Sequence, residues 1–201
     1  MSEPDAFVPD NRGCAAVGLS KGDVDLRAHD PAWLRLGEQE RRRVAHALDG
    51  IAHSIEHVGS TAVPGLWAKP IIDIAVSLPH DGPSQESSVR ERMIIAGYID
   101  RGVAADGGGW LFVRELKPDV RAAHIHLVVA DDPEWNRYLI FRDALRADQR
   151  LRDRYTELKR QLAKRYPHDR VAYTNAKTGF VCETVREHQH RSELGGDAPS
   201  G

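Results

Sequence analysis

Glu56-His-Val-Gly-Ser-Thr-Ala-Val-Pro-Gly-Leu-Trp-Ala-Lys-Pro-Ile-Ile-Asp-Ile-Ala-Val76 is the stretch around which the chain is organised. Ser54 to Val58 reads as a short strand broken by Gly59-Ser60, and Pro70 to Leu78 as a second, strongly apolar strand. Alternation puts Ile71, Asp73, Ala75 and Ser77 on one face of that strand and Ile72, Ile74, Val76 and Leu78 on the other. An ionised carboxylate is too costly to bury unpaired, so Asp73 predicts a metal, a cation or a solvated strand end. Glycine at 59 lets the backbone approach a bulky group. Backbone N–H groups there, with the Ser60 and Thr61 hydroxyls, could cradle phosphate oxygens, and a purely structural turn is the other reading. A Walker A loop is excluded, because Gly65 is not followed by Gly-Lys-Ser/Thr.

Twelve residues, Thr61 to Ile72, separate Ser60 from Asp73. An apolar residue, Gly-Ser, about a dozen residues and then Asp in an apolar strand resembles the signature of the DNA polymerase β-like nucleotidyltransferase superfamily. The longer string His57 to Leu66, followed by Ala68-Lys-Pro-Ile-Ile-Asp73, resembles the GrpB family within it. The resemblance extends over about Asp25 to Glu187. It implies an α/β fold: a small mixed β-sheet of nucleotidyltransferase type flanked by helices, with C-terminal helices closing a cleft. It also implies a nucleotidyl group passing from an NTP, ATP first, to a small-molecule acceptor. The nucleotide would be held by Gly59, Ser60 and Thr61, and a divalent metal, Mg²⁺ or Mn²⁺, by Asp73 with His126 or Glu56. Ala75 departs from the superfamily pattern, since a second acid there would complete the pair that holds two magnesium ions, and one aspartate is a weak cage for a hard cation. A catalytically degenerate nucleotide- or metabolite-binding module and an ATP-dependent ligase therefore stand as alternatives.

Among 201 residues, 28 Lys+Arg oppose 30 Asp+Glu, and a net charge of −2 offers no field for a polyanion, so nucleic acid is not an expected partner. Two cysteines, Cys14 and Cys182, lack disulfide-framework or metal spacing, which fits a reducing cytoplasm. No signal peptide and no run of membrane-spanning length is read, so membrane association is not expected. Residues 1–20 and 191–201 lack apolar periodicity and predict disordered tails around one domain, 21–190. Oligomeric state has no sequence signal.

After Asp30-Pro31, the spacing of Trp33, Leu36, Val44, Leu48 and Ile51 predicts an amphipathic helix ending near Asp49-Gly50, with Arg41-Arg42-Arg43 on a solvated face. His80 to Glu86 reads as a loop, Ser88 to Ala96 as a helix stopped by Gly97, and Gly107-Gly-Gly109 as a loop tip before a hairpin of Trp110–Leu116 and Arg121–Ala130. In its second strand His124 and His126 share one face, where two imidazoles can ligate a metal or move a proton; two structurally hydrogen-bonded histidines are the other reading. The family resemblance implies that this strand lies next to the one carrying Asp73, so that the histidines face it and join it as catalytic residues. The last third predicts three helices, over 134–145, 151–166 and 173–185. Phe141 to Arg146, Tyr155 with Lys159, and Tyr173 with Lys177 resemble the GrpB C-terminal signature, which makes Arg142, Lys159 and Lys177 candidate nucleotide contacts. Lys69, held extended before Pro70, is a fourth, able either to face a bound anion or to stay solvated.

Overall fold

A computed structural model describes residues 16–79, 86–103 and 109–195. The helix α1 (Ala32–Ala47) begins where the Asp30 carboxylate accepts the Ala32 N–H at 2.8 Å, and it buries Trp33, Leu36 and Val44 against the sheet. Its arginine run is solvated as expected, with Arg41 and Arg42 both held by Glu38. Leu48 and Ile51 continue the apolar stripe past the helix end into the same core.

The sheet is mixed, in the order β2-β3-β6-β5-β4. Its strands are β2 (Ser54–Val58), β3 (Ile72–Leu78), β4 (Ile99–Val103), β5 (Trp110–Lys117) and β6 (Val120–Val129). Among the described residues only the β3–β6 pairing is parallel, and it brings the sequence-distant Asp73 and His124 to the same register position. The β5–β6 hairpin turns through Asp119 at φ 62°. Gly109 enters β5 so close to β6 that a Cβ would lie 1.9 Å from the Leu127 carbonyl oxygen, so no side chain fits there. On one side of the sheet Ile72, Ile74, Val76, Ile125, Leu127 and Phe112 meet α1 and α2 (Glu86–Ile95) in the main apolar core. The other side is covered by α3 (Pro133–Ala147), α4 (Gln149–Arg165), α5 (Arg170–Asn175) and α6 (Thr178–Gly195). Asp132, Asp148 and Asp169 cap α3, α4 and α5 through their side chains.

Four expectations change. Residues 16–20 of the expected N-terminal tail belong to the fold: Val17 is 1% exposed, and β1 (Leu19–Ser20) pairs with Arg121 and Val120 of β6. A two-residue strand is too short to leave a periodic signal. At the other end α6 runs to Gly195, past the expected boundary at 191. The expected helix over 173–185 is two helices, because the chain closes α5 at Ala176 and restarts at Thr178, leaving Lys177 at the corner. The strand β4 was not foreseen, since Ile-Asp-Arg-Gly-Val carries little apolar alternation. Of the expected loop over 80–86, residues 80–85 lie outside the described residues, as do Gly107 and Gly108, while Glu86 opens α2. Among the described residues no helix is long and apolar enough to cross a membrane.

Candidate functional site

The site forms where β2 ends, β3 begins and β6 runs alongside, beneath the C-terminal helices. Gly59, at φ 67°, turns the chain out of β2 against Asp73, and a Cβ on it would stand 2.5 Å from the Asp73 Oδ2. Close approach and a left-handed backbone both require glycine there. Ser60, Thr61 and Ala62 then form a single 3₁₀ turn. Thr61 faces inward: its hydroxyl donates to the Ile71 carbonyl at 3.3 Å and lies 3.0 Å from His57 Nε2, tying the turn to the start of β3.

Parallel pairing places His124 beside Asp73 and His126 beside Ala75. His124 Nδ1 lies 3.0 Å from Asp73 Oδ1, and Arg170 Nη2 lies 2.8 Å from His124 Nε2. A guanidinium only donates, so Nε2 is the acceptor and the ring proton sits on Nδ1, donated to Asp73. Burial pushes the His124 pKa down to about 4 despite the Asp73 carboxylate, so the ring is neutral. Burial opposes ionisation of Asp73, but the two imidazoles override it and hold the carboxyl far below the usual range. His126 Nε2 is 3.8 Å from the same Oδ1, and its ring packs on Tyr138 with centroids 5.3 Å apart.

One cavity, of about 200 Å³, opens over this group and gathers Ser60, Lys69, Asp73, Lys159, Arg170 and Lys177. Lys159 is 2% exposed; its ammonium donates to Ser60 Oγ at 3.1 Å and to the Trp67 carbonyl, and lies 4.4 Å from the centre of the Tyr155 ring. Lys69 and Lys177 both lie over the Tyr173 ring, at 5.2 and 4.4 Å. Burial first, then the charges of Lys177 and Arg170, push Lys69 down to about 7. Burial takes Lys177 to about 8 against the pull of Asp73, and Arg170 to about 10; Lys159 falls well below the ordinary lysine range for the same reason, with Lys177 and Lys69 adding to it. Four cationic side chains thus face a space whose lining contains one carboxylate, Asp73.

Of the residues singled out from sequence, Ser60, Thr61, Lys69, Asp73, His124, His126, Lys159 and Lys177 line this cavity together. Gly59 lies behind Asp73 and lines a neighbouring chamber instead. Two of the expected site residues lie apart from the cavity. Arg142 does not reach the cavity: its guanidinium is held by Glu56 Oε2 at 2.7 Å, the His57 carbonyl at 3.2 Å and Asp143 at 2.8 Å. Glu56 is for the same reason engaged by Arg142 and stands outside the cluster of possible metal donors. Among the described residues that cluster is Asp73, His124 and His126, with donor atoms within 4.8 Å of one another. Ala75 is fully buried between Glu56 and His126 in register, so no carboxylate stands where a second metal-holding acid is expected. Sequence reading missed Arg170, whose only local context is the Asp169 cap; its approach to His124 is made by the fold.

An imidazole beside a carboxylate suits manganese better than magnesium, which prefers oxygen ligands. His124 has both ring nitrogens committed, so Asp73, through Oδ2, and His126 are the residues able to hold a single ion.

The model of the GrpB protein family matches residues 23–187. The chain is 34% identical over 173 residues to the glutamate-rich protein GrpB of Alkalihalophilus pseudofirmus, covering 85% of this chain and 99% of that one. Among solved structures it resembles conserved protein GrpB from Enterococcus faecalis, with a TM-score of 0.74 and 28% identity, over 84% of this chain and 99% of that one. A more distant likeness, TM-score 0.52 at 12% identity over 74% of this chain and 49% of the other, is to the Cid1 poly(U) polymerase with Mg and 3'-dATP bound. That likeness bears on the fold alone, a mixed sheet with flanking helices.

Proposed function

Starting from a chain that belongs to the GrpB family, we propose an enzyme that moves a nucleotidyl group from an NTP, ATP first, to a small-molecule acceptor. The observation that carries this reading is the convergence of Lys69, Lys159, Lys177 and Arg170 on one cavity beside a carboxylate–imidazole group. Buried cations repel one another and each loses hydration, so the arrangement calls for a multiply charged anion. Phosphate oxygens satisfy ammonium and guanidinium donors together. A chain of net charge −2 offers no field for a polyanion, and we extend the proposal to say that long DNA and RNA are not partners.

In this mechanism Lys159 presents Ser60 to the β- and γ-phosphates, while Lys69, Lys177 and Arg170 neutralise charge that grows on the leaving pyrophosphate. His124, locked by Arg170, donates to Asp73 Oδ1 and so aims Oδ2 at the reacting centre. A divalent ion, Mn²⁺ by donor chemistry, held by Asp73 and His126 would supply charge stabilisation at the α-phosphate. Positioning and electrostatics provide most of the acceleration in such transfers.

The missing acid at Ala75 favours a second reading, a binding module that senses a nucleotide without turning it over. Pyrophosphate release in a screen of small acceptors with Mn²⁺ and ATP separates the two. The enzyme reading expects release by the wild type that is lost comparably in Asp73→Asn and His126→Ala, because removing either member of a working group costs nearly the whole effect. Nucleotide binding with no release across the screen selects the sensor. If neither ATP nor tripolyphosphate shifts the melting midpoint, the phosphate reading fails altogether.

A further inference from the structure

Asp73 and His126 stand in a wall shared by two cavities. The second, about 210 Å³, lies on the far side of Gly59 and is built from the end of β2, α3 and α6. Its furnishing is the reverse of the first: Val58, Tyr138, Phe141 and Val181 supply most of the lining, and Arg137, also in it, is ion-paired with Glu134. Tyr138 and Phe141 are three residues apart on α3, so one helical face presents both rings to the space. Phe141 is braced edge-on by Tyr155, with centroids 5.2 Å apart, which fixes the chamber's floor.

Displacement at phosphorus places the attacking and leaving oxygens on opposite sides of the reacting atom. The cations fix the leaving side, since pyrophosphate charge develops where Lys69, Lys159, Lys177 and Arg170 converge. The attacking oxygen must then come across the Asp73–His126 wall. We propose that the chamber between α3, α6 and the end of β2 receives the acceptor, and that this acceptor is a small molecule with an aromatic or apolar body carrying one nucleophilic hydroxyl or amine. This rests on the nucleotidyl-transfer reading. In the step, the acceptor oxygen or nitrogen bonds to the α-phosphorus, the bond from that phosphorus to the bridging oxygen breaks, pyrophosphate leaves into the cationic cavity, and the acceptor's proton passes to water. An apolar lining recognises such a body through contact area and ring packing, with the reacting group at the polar wall.

The test uses p-cresol and indole as aromatic probes and tripolyphosphate as the anionic probe, on the full chain. Val181→Phe and Val181→Trp fill the chamber in two steps, and melting midpoints establish that each variant is folded. The expected result is that wild type binds an aromatic probe, that affinity falls progressively and by at least about tenfold in Val181→Trp, and that tripolyphosphate affinity stays within about twofold. Lys177→Met should do the reverse, weakening tripolyphosphate and sparing the aromatic probe. Aromatic probes that bind wild type and both variants equally, or bind none of them, overturn the acceptor assignment while leaving the phosphate cavity intact. Weaker ATP binding in Val181→Trp with unchanged tripolyphosphate binding also overturns it, because the chamber would then hold the nucleobase. Failure of tripolyphosphate to bind wild type removes the transfer reading, and the acceptor role with it, whatever the aromatic probes do.

Discussion

Strand β3 buries both of its faces, yet the two regions it separates are built on opposite principles. Toward α1 and α2, Ile72, Ile74, Val76 and Leu78 join an apolar core, and the buried acid nearest that core is balanced internally. Glu40, on α1 and 3% exposed, accepts two hydrogen bonds from Arg114 Nε and Nη2 at 2.9 and 2.7 Å, and one from the Tyr98 hydroxyl at 2.9 Å. Toward the C-terminal helices, Asp73 meets two histidines, and four basic side chains line the same cavity against that one carboxylate. The first region is complete as a folded structure. In the proposed reading an anionic ligand completes the second, so stability and binding should respond in opposite senses to changes on the two sides.

The largest test of that contrast is Glu40→Ala. It strands the Arg114 guanidinium and the Tyr98 hydroxyl in the interior and should lower stability by about 3–5 kcal/mol. In a chain of this size that drops the melting midpoint by about 10 °C, while tripolyphosphate affinity of the protein that remains folded is unchanged. A loss of anion affinity comparable to the loss of stability would show that the two faces are coupled.

Next comes Asp73→Asn. The amide oxygen can still accept the His124 N–H, so the fold should persist within about 1 kcal/mol. Turnover should fall by about 10²–10³-fold, equivalent to about 3–4 kcal/mol in barrier. Metal-free tripolyphosphate should bind more tightly, because the one carboxylate lining the cavity is gone. Weaker tripolyphosphate binding in this variant would contradict a site dominated by excess positive charge.

Lys177→Met should separate stability from binding within one side chain. Removing a buried charge whose pKa is depressed to about 8 should raise the stability of the free protein by about 1 kcal/mol. The same change should weaken tripolyphosphate by about tenfold. If the unfolding free energy falls instead, Lys177 is a structural cation and the excess-charge account of the cavity is wrong.

The smallest effect is on pH. Lys69 at about 7 and Lys177 at about 8 titrate lower in the folded chain than in the unfolded one. Between pH 7 and about 10 the unfolded state therefore binds more protons, and stability contributed by these two positions rises with pH. Anion affinity should move the other way, falling as the ammonium groups lose their protons. Melting midpoints and tripolyphosphate titrations at pH 7, 8 and 9.5 check both slopes, and Lys177→Met should flatten each of them.

How far the chain was legible follows from the range of the forces involved. The α1 stripe, the Gly-Ser break, the alternation of β3 and the His124/His126 face all depend on residues within a few positions of one another, and each was readable. The elements that escaped were short or interrupted. A two-residue β1 has no period to detect, β4 is an edge strand with little apolar alternation, and the corner at Lys177 interrupts a helical pattern that local spacing alone continues.

For the site, local pattern singled out Asp73, Ser60, Lys69, Lys159 and Lys177, because an acid in an apolar strand and residues matching a family motif are visible one by one. Their convergence is implied by the family resemblance and not by any local pattern. Parallel pairing of β3 with β6 put His124 against Asp73, and packing of α3 against β2 let Glu56 take Arg142 out of the cavity. Arg170, 46 positions from the His124 nitrogen it holds, entered only through that packing. The amino-acid sequence by itself determined the fold class, the family resemblance and the chemistry of each candidate side chain, since periodicity and side-chain type are local properties. Tertiary structure alone decided which charges meet, which cancel and which are left facing one cavity, because electrostatic interaction depends on distance and burial, and neither is written in sequence separation.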